Sequence, residues 1–312
     1  MKPSNRSVAY FGPAGTFTEE ALLTQQDLAS LELKPMTAIA DVLRAVEAGE
    51  VTFGFVPLEN AIEGTVNATI DGLVFDADVR IVREVVLDIH LHLMAPAGTT
   101  IQEVTTFISF PHALAQCRGF LAQHLGGAEA VAANSTADAA RLLGLSKAAA
   151  TAAIAPKLAA ELYGLNILAS SIEDHSDNQT RFVAIARRGV PPRSGHDRTA
   201  MVCFQDADRP GSLYAILGQF AARNINLTRL ESRPTKQGLG DYCFIIEFEG
   251  HLADPLIADC LAEMAATVAR VKFLGSYPVD GLEAATERAA LVERRAEAKT
   301  WVDDLLSEEL EV

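Results

Sequence analysis

The chain has 312 residues, 49% of them hydrophobic, which is too many for one ordinary core and enough for two packed domains. Its formal net charge of −15 argues against nucleic acid or an anionic membrane surface as a partner. Cys117, Cys203, Cys243 and Cys260 show no C-x-x-C or metal-finger spacing, and no long apolar run follows the basic residues at the N-terminus. The most apolar segment, "AAATAAIAP" (148–156), falls far below the roughly 20 residues of a membrane span, so the expectation is a reduced, cytoplasmic protein.

From residue 7 to about 186, strand-like apolar runs alternate with helical stretches, which predicts an α/β layer architecture. "SVAYFG" (7–12) reads as a strand, and the helix behind it opens with Thr16 and Glu19 as a capping box. Residues 37–49 read as a helix capped by Thr37 and stopped at Gly49, followed by a strand at 51–60. Another helix is expected within "GTVNATIDGLVF" (64–75), with Thr65 at its start. "VREVVLDIHLHLMA" (82–95) reads as one long strand, after which the alternation restarts with "VTTFIS" (104–109), a helix at 112–125, "EAVAA" (129–133) and a helix at 136–144. That restart suggests two lobes, with the strands at 165–172 and 180–186 returning the chain to the first.

Pro, Gly and basic residues concentrate without periodicity at 187–199, a linker pattern. Beyond it the order is strand 199–205, helix 211–224, strand 225–234, turn 235–240, strand 241–250, helix 255–267 and strand 270–278. This is the β-α-β-β-α-β sequence of a ferredoxin-like fold. The charged tail, 281–312, carries helical apolar spacing at Ala285, Ala289, Val292 and Ala296.

Chemistry is expected where strands meet helices. "GPAGTF" (12–17), "ENAIEGTV" (59–66), "SFPHA" (109–113) and "NSTAD" (134–138) are rich in small and hydroxylated residues, and several helix N-termini around one cleft would hold a small polyanion. Taken singly, Thr16, Thr65 and Ser135 read as ordinary helix caps, and the argument rests on the set. None of these loops fits a nucleotide-binding glycine pattern. Thr180 and Arg181 stand where the acidic loop "DHSDNQ" (174–179) enters a strand, the kind of sheet end at which α/β proteins bind ligands. Arginine offers a planar fork to a carboxylate and threonine one hydroxyl to donate; a surface ion pair of Arg181 with Asp174 or Asp177 is an equal reading. His90 and His92 share a strand face without a third ligand at metal spacing, and His175 is better placed to titrate than to ligate, so no metal is expected.

At these residues the sequence resembles the prephenate dehydratase family. "NQTRF" (178–182) matches the family's Thr-Arg-Phe motif, and "GPAGTFTEEA", "VPLENAIEGTV", "ALAQC" and "STADAA" follow the family in order. "RPGSLYAIL" and "INLTRLESRP" look like the phenylalanine-binding motifs of its ACT regulatory domain. Over about residues 7–280 the resemblance implies a two-lobed catalytic domain of type II periplasmic-binding-protein-like fold at 1–188, with the second lobe at about 84–165. A linker at 189–198, a ferredoxin-like α+β ACT domain at 199–280 and a helical tail at 281–312 would complete it. No chorismate mutase segment stands before residue 7, so the monofunctional form is expected. Two departures fall on Ala61, where the family usually has Ser, and on Phe110-Pro111-His112, where His-Pro-Gln is common.

The resemblance implies conversion of prephenate to phenylpyruvate, water and CO2 in L-phenylalanine biosynthesis, without a cofactor. Catalysis would fall to Thr180, Arg181 and Phe182, and substrate contacts to Gly15, Thr16, Phe17, Asn60, Ala61, Gly64, Thr65, Ser109 and Asn178. In this picture Thr180 hydrogen-bonds the departing hydroxyl, Arg181 grips the pyruvyl carboxylate, and the ring carboxylate lies in less polar surroundings near Phe182. Phenylalanine would bind between ACT domains of two subunits through Gly211, Ser212, Leu213, Asn226, Leu227, Glu231 and Ser232, in a homodimer or homotetramer. The alternatives are an arogenate dehydratase, whose substrate's amino group Glu59, Glu63 or Asp177 could meet, and a non-catalytic amino-acid sensor, against which the Thr180-Arg181 pair counts. A transport solute-binding protein is disfavoured by the lack of an export signal.

Overall fold

A computed structural model describes residues 6–204, 210–236, 238, 241–267, 270–280, 294, 296–304 and 307. The chain forms two compact units, Met1–Gly189 and Val190–Val312. The first begins with β1 (Ser7–Phe11), α1 (Phe17–Leu23), α2 (Gln26–Ala29), β2 (Glu32–Met36), α3 (Ile39–Ala48), β3 (Phe53–Asn60), β4 (Gly64–Thr65), α4 (Asn67–Asp71) and β5 (Arg80–Asp88). It continues with β6 (His92–Ala95), β7 (Thr106–Ser109), α5 (Pro111–Ala115), α6 (Arg118–His124), β8 (Glu129–Ala132), α7 (Thr136–Ser146), β9 (Thr151–Ala155), α8 (Lys157–Tyr163) and β10 (Asn166–Ala169), and closes with β11 (Gln179–Ala186).

These strands make two sheets, one per lobe. The first runs β5–β11–β3–β1–β2, with β4 added to β3; the second runs β10–β6–β9–β7–β8. β1 is parallel to β2 and β3, while β11 lies antiparallel between β3 and β5. The apolar run 82–95 is therefore not one strand: it breaks at residues 89–91, leaving β5 in the first sheet and β6 in the second. Hydrogen bonding explains the break, because Ile89 N–H donates to Asn178 O at 2.8 Å and Ile172 N–H to Leu91 O at 2.8 Å, which ties the outward crossing to the returning one. Only β11 returns to the first lobe; β10, expected to return with it, stays in the second sheet. Two lobes joined by two adjacent crossings give the architecture its periplasmic-binding-protein-like character.

Three local expectations change. The helix expected at 112–125 is broken at Gln116 and Cys117, where Asp174 takes over backbone groups: its N–H donates to Gln116 O at 2.6 Å and its Oδ1 accepts Gly119 N–H at 3.0 Å. Thr37 caps nothing, since α3 starts behind Ala38 with no side-chain cap, although Gly49 does end it at φ 76°. Thr65 is not a helix cap either; it pairs with Glu59 in β4, and Val66 precedes α4.

Each lobe has its own core. Val8, Tyr10, Leu22, Phe55 and Phe182 fill the first, and Leu91, Leu93, Phe107, Cys117 and Ile154 the second; Phe17 packs against both. Burial pushes the Cys117 thiol up to about 12, so it behaves as an inert apolar residue.

The second unit contains β12 (Asp197–Phe204), α9 (Ser212–Ala221), β13 (Leu227–Pro234), β14 (Tyr242–Glu249), α10 (Pro255–Thr267) and β15 (Arg270–Pro278). The strands pair antiparallel in the order β13–β14–β12–β15, and Ile216, Phe220, Ile257 and Met264 of the helices pack on Met201, Phe244, Ile246 and Phe248. This is a ferredoxin-like α+β layer. Ala285, Ala289 and Val292 of the expected tail helix, with part of the expected turn at 235–240, lie outside the described residues. Among the described residues no helix is long and apolar enough to cross a membrane.

Candidate active site

Thr180 is the second residue of β11, directly after the returning crossing, and pairs with Asn60 at the end of β3. Its side chain is almost withdrawn from solvent, at 8% exposure. Asn60 Nδ2 donates to Thr180 Oγ1 at 2.8 Å, to Asn178 Oδ1 at 2.9 Å and to Gln179 O at 3.2 Å. The direction of these bonds is settled by the other end of the carboxamide. Asn60 Oδ1 accepts the backbone N–H groups of Ile62 and Glu63, each at 3.0 Å, so the nitrogen must face Thr180. The threonine oxygen is therefore an acceptor in that bond, and its own proton is left to be donated elsewhere.

Asn178 extends the array. Its Nδ2 donates to Gln116 Oε1, at the C-terminal end of α5 in the second lobe, at 3.2 Å. A line of carboxamides thus runs from Gln116 through Asn178 and Asn60 to the Thr180 hydroxyl.

Arg181 lies elsewhere than the sequence suggests. Successive strand residues face opposite sides of a sheet, so Arg181 turns away from the Thr180 side. There its guanidinium meets Glu59 Oε2 at 2.9 Å and Glu84 Oε2 at 3.2 Å, with side-chain exposures of 12% for Arg181 and 2% for Glu84. Asp174, one of the two partners expected from sequence, is instead tied to Gly119 in the second lobe. Phe182 is also not at a surface. It is buried and stacked on Phe55, ring centroids 5.8 Å apart, so it supports the strand from inside the core.

The loop before α1 is held between the lobes. Thr16 caps α1 by accepting Glu19 N–H at 3.3 Å, but the Glu19 carboxylate reaches Gly15 N–H at 2.6 Å and not Thr16, one residue outside a capping box. Its other oxygen accepts the Tyr10 hydroxyl at 2.9 Å; burial, then this hydrogen bond, raises the phenol's pKa and keeps it a donor. Across the junction Tyr163 of α8 donates to Ala14 O at 2.6 Å. Gly15 sits at φ +86°, and a Cβ there would lie 3.2 Å from both Ala159 Cα and the Tyr163 ring.

The two departures from the family pattern stand on either side of the same junction. Ala61 is an exposed turn residue whose N–H donates to Gln179 O at 2.8 Å. Next to it Glu63 Oε2 meets His112 Nδ1 at 2.9 Å, and Phe110 stacks on the His112 ring. Gly64, at φ +78° with nothing near its missing Cβ, lets β4 turn back on β3. Ser109, expected as a contact, is fully buried and donates to Ile154 O at 2.6 Å, which makes it a link within the second lobe. His92 is kept neutral by burial, its Nδ1 accepting Ser171 N–H at 3.2 Å, while His90 meets the buried Glu173 at 2.8 Å. Among the described residues no group of three His, Cys, Asp or Glu could hold a metal.

Sequence reading missed Glu84, Gln116 and Tyr163, whose partners lie 97, 62 and 149 residues away. No local pattern marks such contacts. In the second unit Gly211, at φ +86°, and Ser212 open α9, while Leu213 and Leu227 pack on the core. Asn226 Nδ2 donates to Glu249 Oε1 at 3.1 Å, Glu231 pairs with Arg229 at 2.7 Å and Arg233 at 3.1 Å, and Ser232 is exposed on β13.

Comparison with known proteins establishes the family. The family model for prephenate dehydratase matches residues 8–190, over half of the chain. The chain belongs to the prephenate dehydratase family. It is an enzyme of that decarboxylating lyase class, and an ACT domain model matches residues 206–266. The prephenate dehydratase of Amycolatopsis methanolica is 42% identical over 298 residues, covering 95% of this chain and 96% of that one. A solved prephenate dehydratase from Arthrobacter aurescens, in complex with L-Phe, superposes with a TM-score of 0.81 at 39% identity, covering 97% of this chain and 100% of the other. Another solved structure, described as a novel type of quorum-quenching acylase, superposes with a TM-score of 0.80 at 29% identity, covering 88% and 98%. Because a fold can host unrelated chemistries, the roles of the side chains have to be argued from the site itself.

Proposed function

We propose that the dehydration is driven at Thr180, whose hydroxyl donates to the oxygen leaving the prephenate ring. The electron pair of the bond to the ring carboxylate enters the ring as CO2 departs, the carbon–oxygen bond opposite breaks, and the oxygen leaves as water after taking one proton. Solvent replaces that proton. Aromatisation supplies the driving force, so the enzyme's task is to assist the leaving group. The direction of the Asn60–Thr180 bond carries this reading: an N–H aimed at Oγ1 leaves the Thr180 proton available and stabilises negative charge that builds on Oγ1 as the proton moves.

Arg181 is assigned a supporting role. With its fork on Glu59 and Glu84, it holds the end of β3 from which Asn60 projects. With the Gly15 N–H already given to Glu19, the substrate carboxylates would then meet the backbone N–H groups of Thr16 and Phe17 and those around Gly64–Thr65. Phenylalanine, present in the Arthrobacter aurescens complex, is the proposed effector of the ACT domain, held around Gly211–Leu213 and Asn226–Ser232 between two copies of the chain.

Thr180→Ala is the test, with phenylpyruvate formation from prephenate followed at neutral pH. The catalytic rate should fall by about 10²-fold or more with KM changed only a few-fold, as when a transition-state donor is removed. A variant altered in KM alone would sink the proposal.

A further inference from the structure

We propose that Gln116 is a positioning residue for this dehydration, coupling the second lobe to the Thr180 proton through Asn178 and Asn60. The inference rests on the reading of Thr180 as the donor. Asn178 is 2% exposed, and both ends of its carboxamide are used: Nδ2 gives to Gln116 Oε1 at 3.2 Å and Oδ1 takes from Asn60 Nδ2 at 2.9 Å. Asn60 Nδ2 carries two protons for three acceptors, Asn178 Oδ1, Thr180 Oγ1 and Gln179 O. How those protons are shared depends on where Asn178 presents its oxygen, and Gln116 fixes that by accepting from the other end.

Gln116 is itself anchored. Its N–H donates to His112 O at 3.1 Å and Ala113 O at 3.2 Å in α5, and its carbonyl accepts Asp174 N–H from the returning crossing at 2.6 Å. Of the side-chain links in the line, Gln116–Asn178 is the longest, and it alone joins a residue of the second-lobe helices to the array on the first sheet. A shift of the second lobe would loosen this contact first. Asn178 would then be free to turn, and Asn60 would present its protons differently to Thr180. Gln116 needs no contact with substrate for this.

Gln116→Met removes the acceptor at similar volume, while Gln116→Glu retains it. Gln116→Met should lower kcat roughly tenfold with KM within about twofold, since misplacing a reacting group by a fraction of an ångström costs rate and not affinity. Gln116→Glu should keep kcat within about threefold of the parent, and melting temperatures establish that both variants are folded. The deciding measurement is a double-mutant cycle. In an Asn178→Ala background, where kcat is already reduced, Gln116→Met should cost less than about twofold more, because the link it breaks is gone. Fully additive losses, a KM-only effect, or a Gln116→Glu variant as slow as Gln116→Met would overturn the role. If Thr180→Ala behaves as a lost donor while the cycle is additive, only the Gln116 assignment fails; if Thr180→Ala loses affinity alone, the underlying reading fails.

Discussion

A guanidinium between two carboxylates of its own sheet is already committed, and this separates the work of Thr180 from that of Arg181. Truncation of Arg181 removes the cation facing the nearly inaccessible Glu84, a loss that for a buried pair costs about 3 kcal/mol. Arg181→Ala should therefore lower the melting temperature by several degrees and reduce activity mainly by lowering the folded fraction, with Arg181→Lys intermediate because it keeps the charge and loses the fork. An Arg181→Ala enzyme that melts normally but has lost affinity for prephenate would restore a direct carboxylate grip. Glu20 on α1 makes a different prediction. One oxygen of its carboxylate is buried without a hydrogen-bond partner, and burial, then Glu161, raises its pKa against the opposing pull of His90 and Lys157. A carboxyl whose pKa is higher folded than unfolded favours the native state when protonated, and that contribution is lost as pH rises through the folded value. Glu20→Gln should thus raise the melting temperature at pH 8, with the gain shrinking toward pH 4; a gain that grows on acidification would refute the assignment.

Among elements, the clamp formed by the loop at residues 12–16 and α8 sets how the lobes meet. Adding a methyl at Gly15 meets α8 at 3.2 Å and forces a side chain onto φ +86°. Gly15→Ala should cost about 1–2 kcal/mol of stability from the backbone and lower kcat/KM several-fold further, because α8 must back away from the loop that Tyr163 holds. A variant with parental kcat/KM would show that this contact is incidental. The element order of the second unit, and much of the first, was legible from periodicity and from local stops such as Gly49, because each depends on residues a turn or a strand apart; β2, β9 and α8 were not expected. The break at 89–91 was not: both halves are apolar, and the sheet change is imposed by hydrogen bonds from residues 172 and 178. Thr65 illustrates the same limit, since a hydroxylated residue before a helical pattern also suits a strand that turns back. At the site, the Thr180-Arg181 motif was visible, and a strand from Thr180 onward already implies that the two side chains face opposite ways; the carboxylates that meet Arg181 were not legible, because they are brought to it by the register with β3 and β5.

For the molecule as a whole, the proposal gives two units separate tasks, one binding prephenate and the other phenylalanine, and ties them by a single free energy. Linkage makes that tie reciprocal: if phenylalanine changes prephenate affinity by some factor, prephenate must change phenylalanine affinity by the same factor, commonly about 5–150-fold. Thr180→Ala is suited to the measurement, since it should hold prephenate while turning it over about 10²-fold or more slowly. Calorimetric titration of this variant with phenylalanine, with and without saturating prephenate, and the converse titration, should return equal factors. Because the effector is proposed to lie between two copies of the chain, the factor should also depend on protein concentration wherever the assembly dissociates. A factor of one in both directions would separate the ACT domain from catalysis. Phenylalanine binding that competes directly with prephenate and persists unchanged in dilute protein would place the effector at the Thr180 site itself.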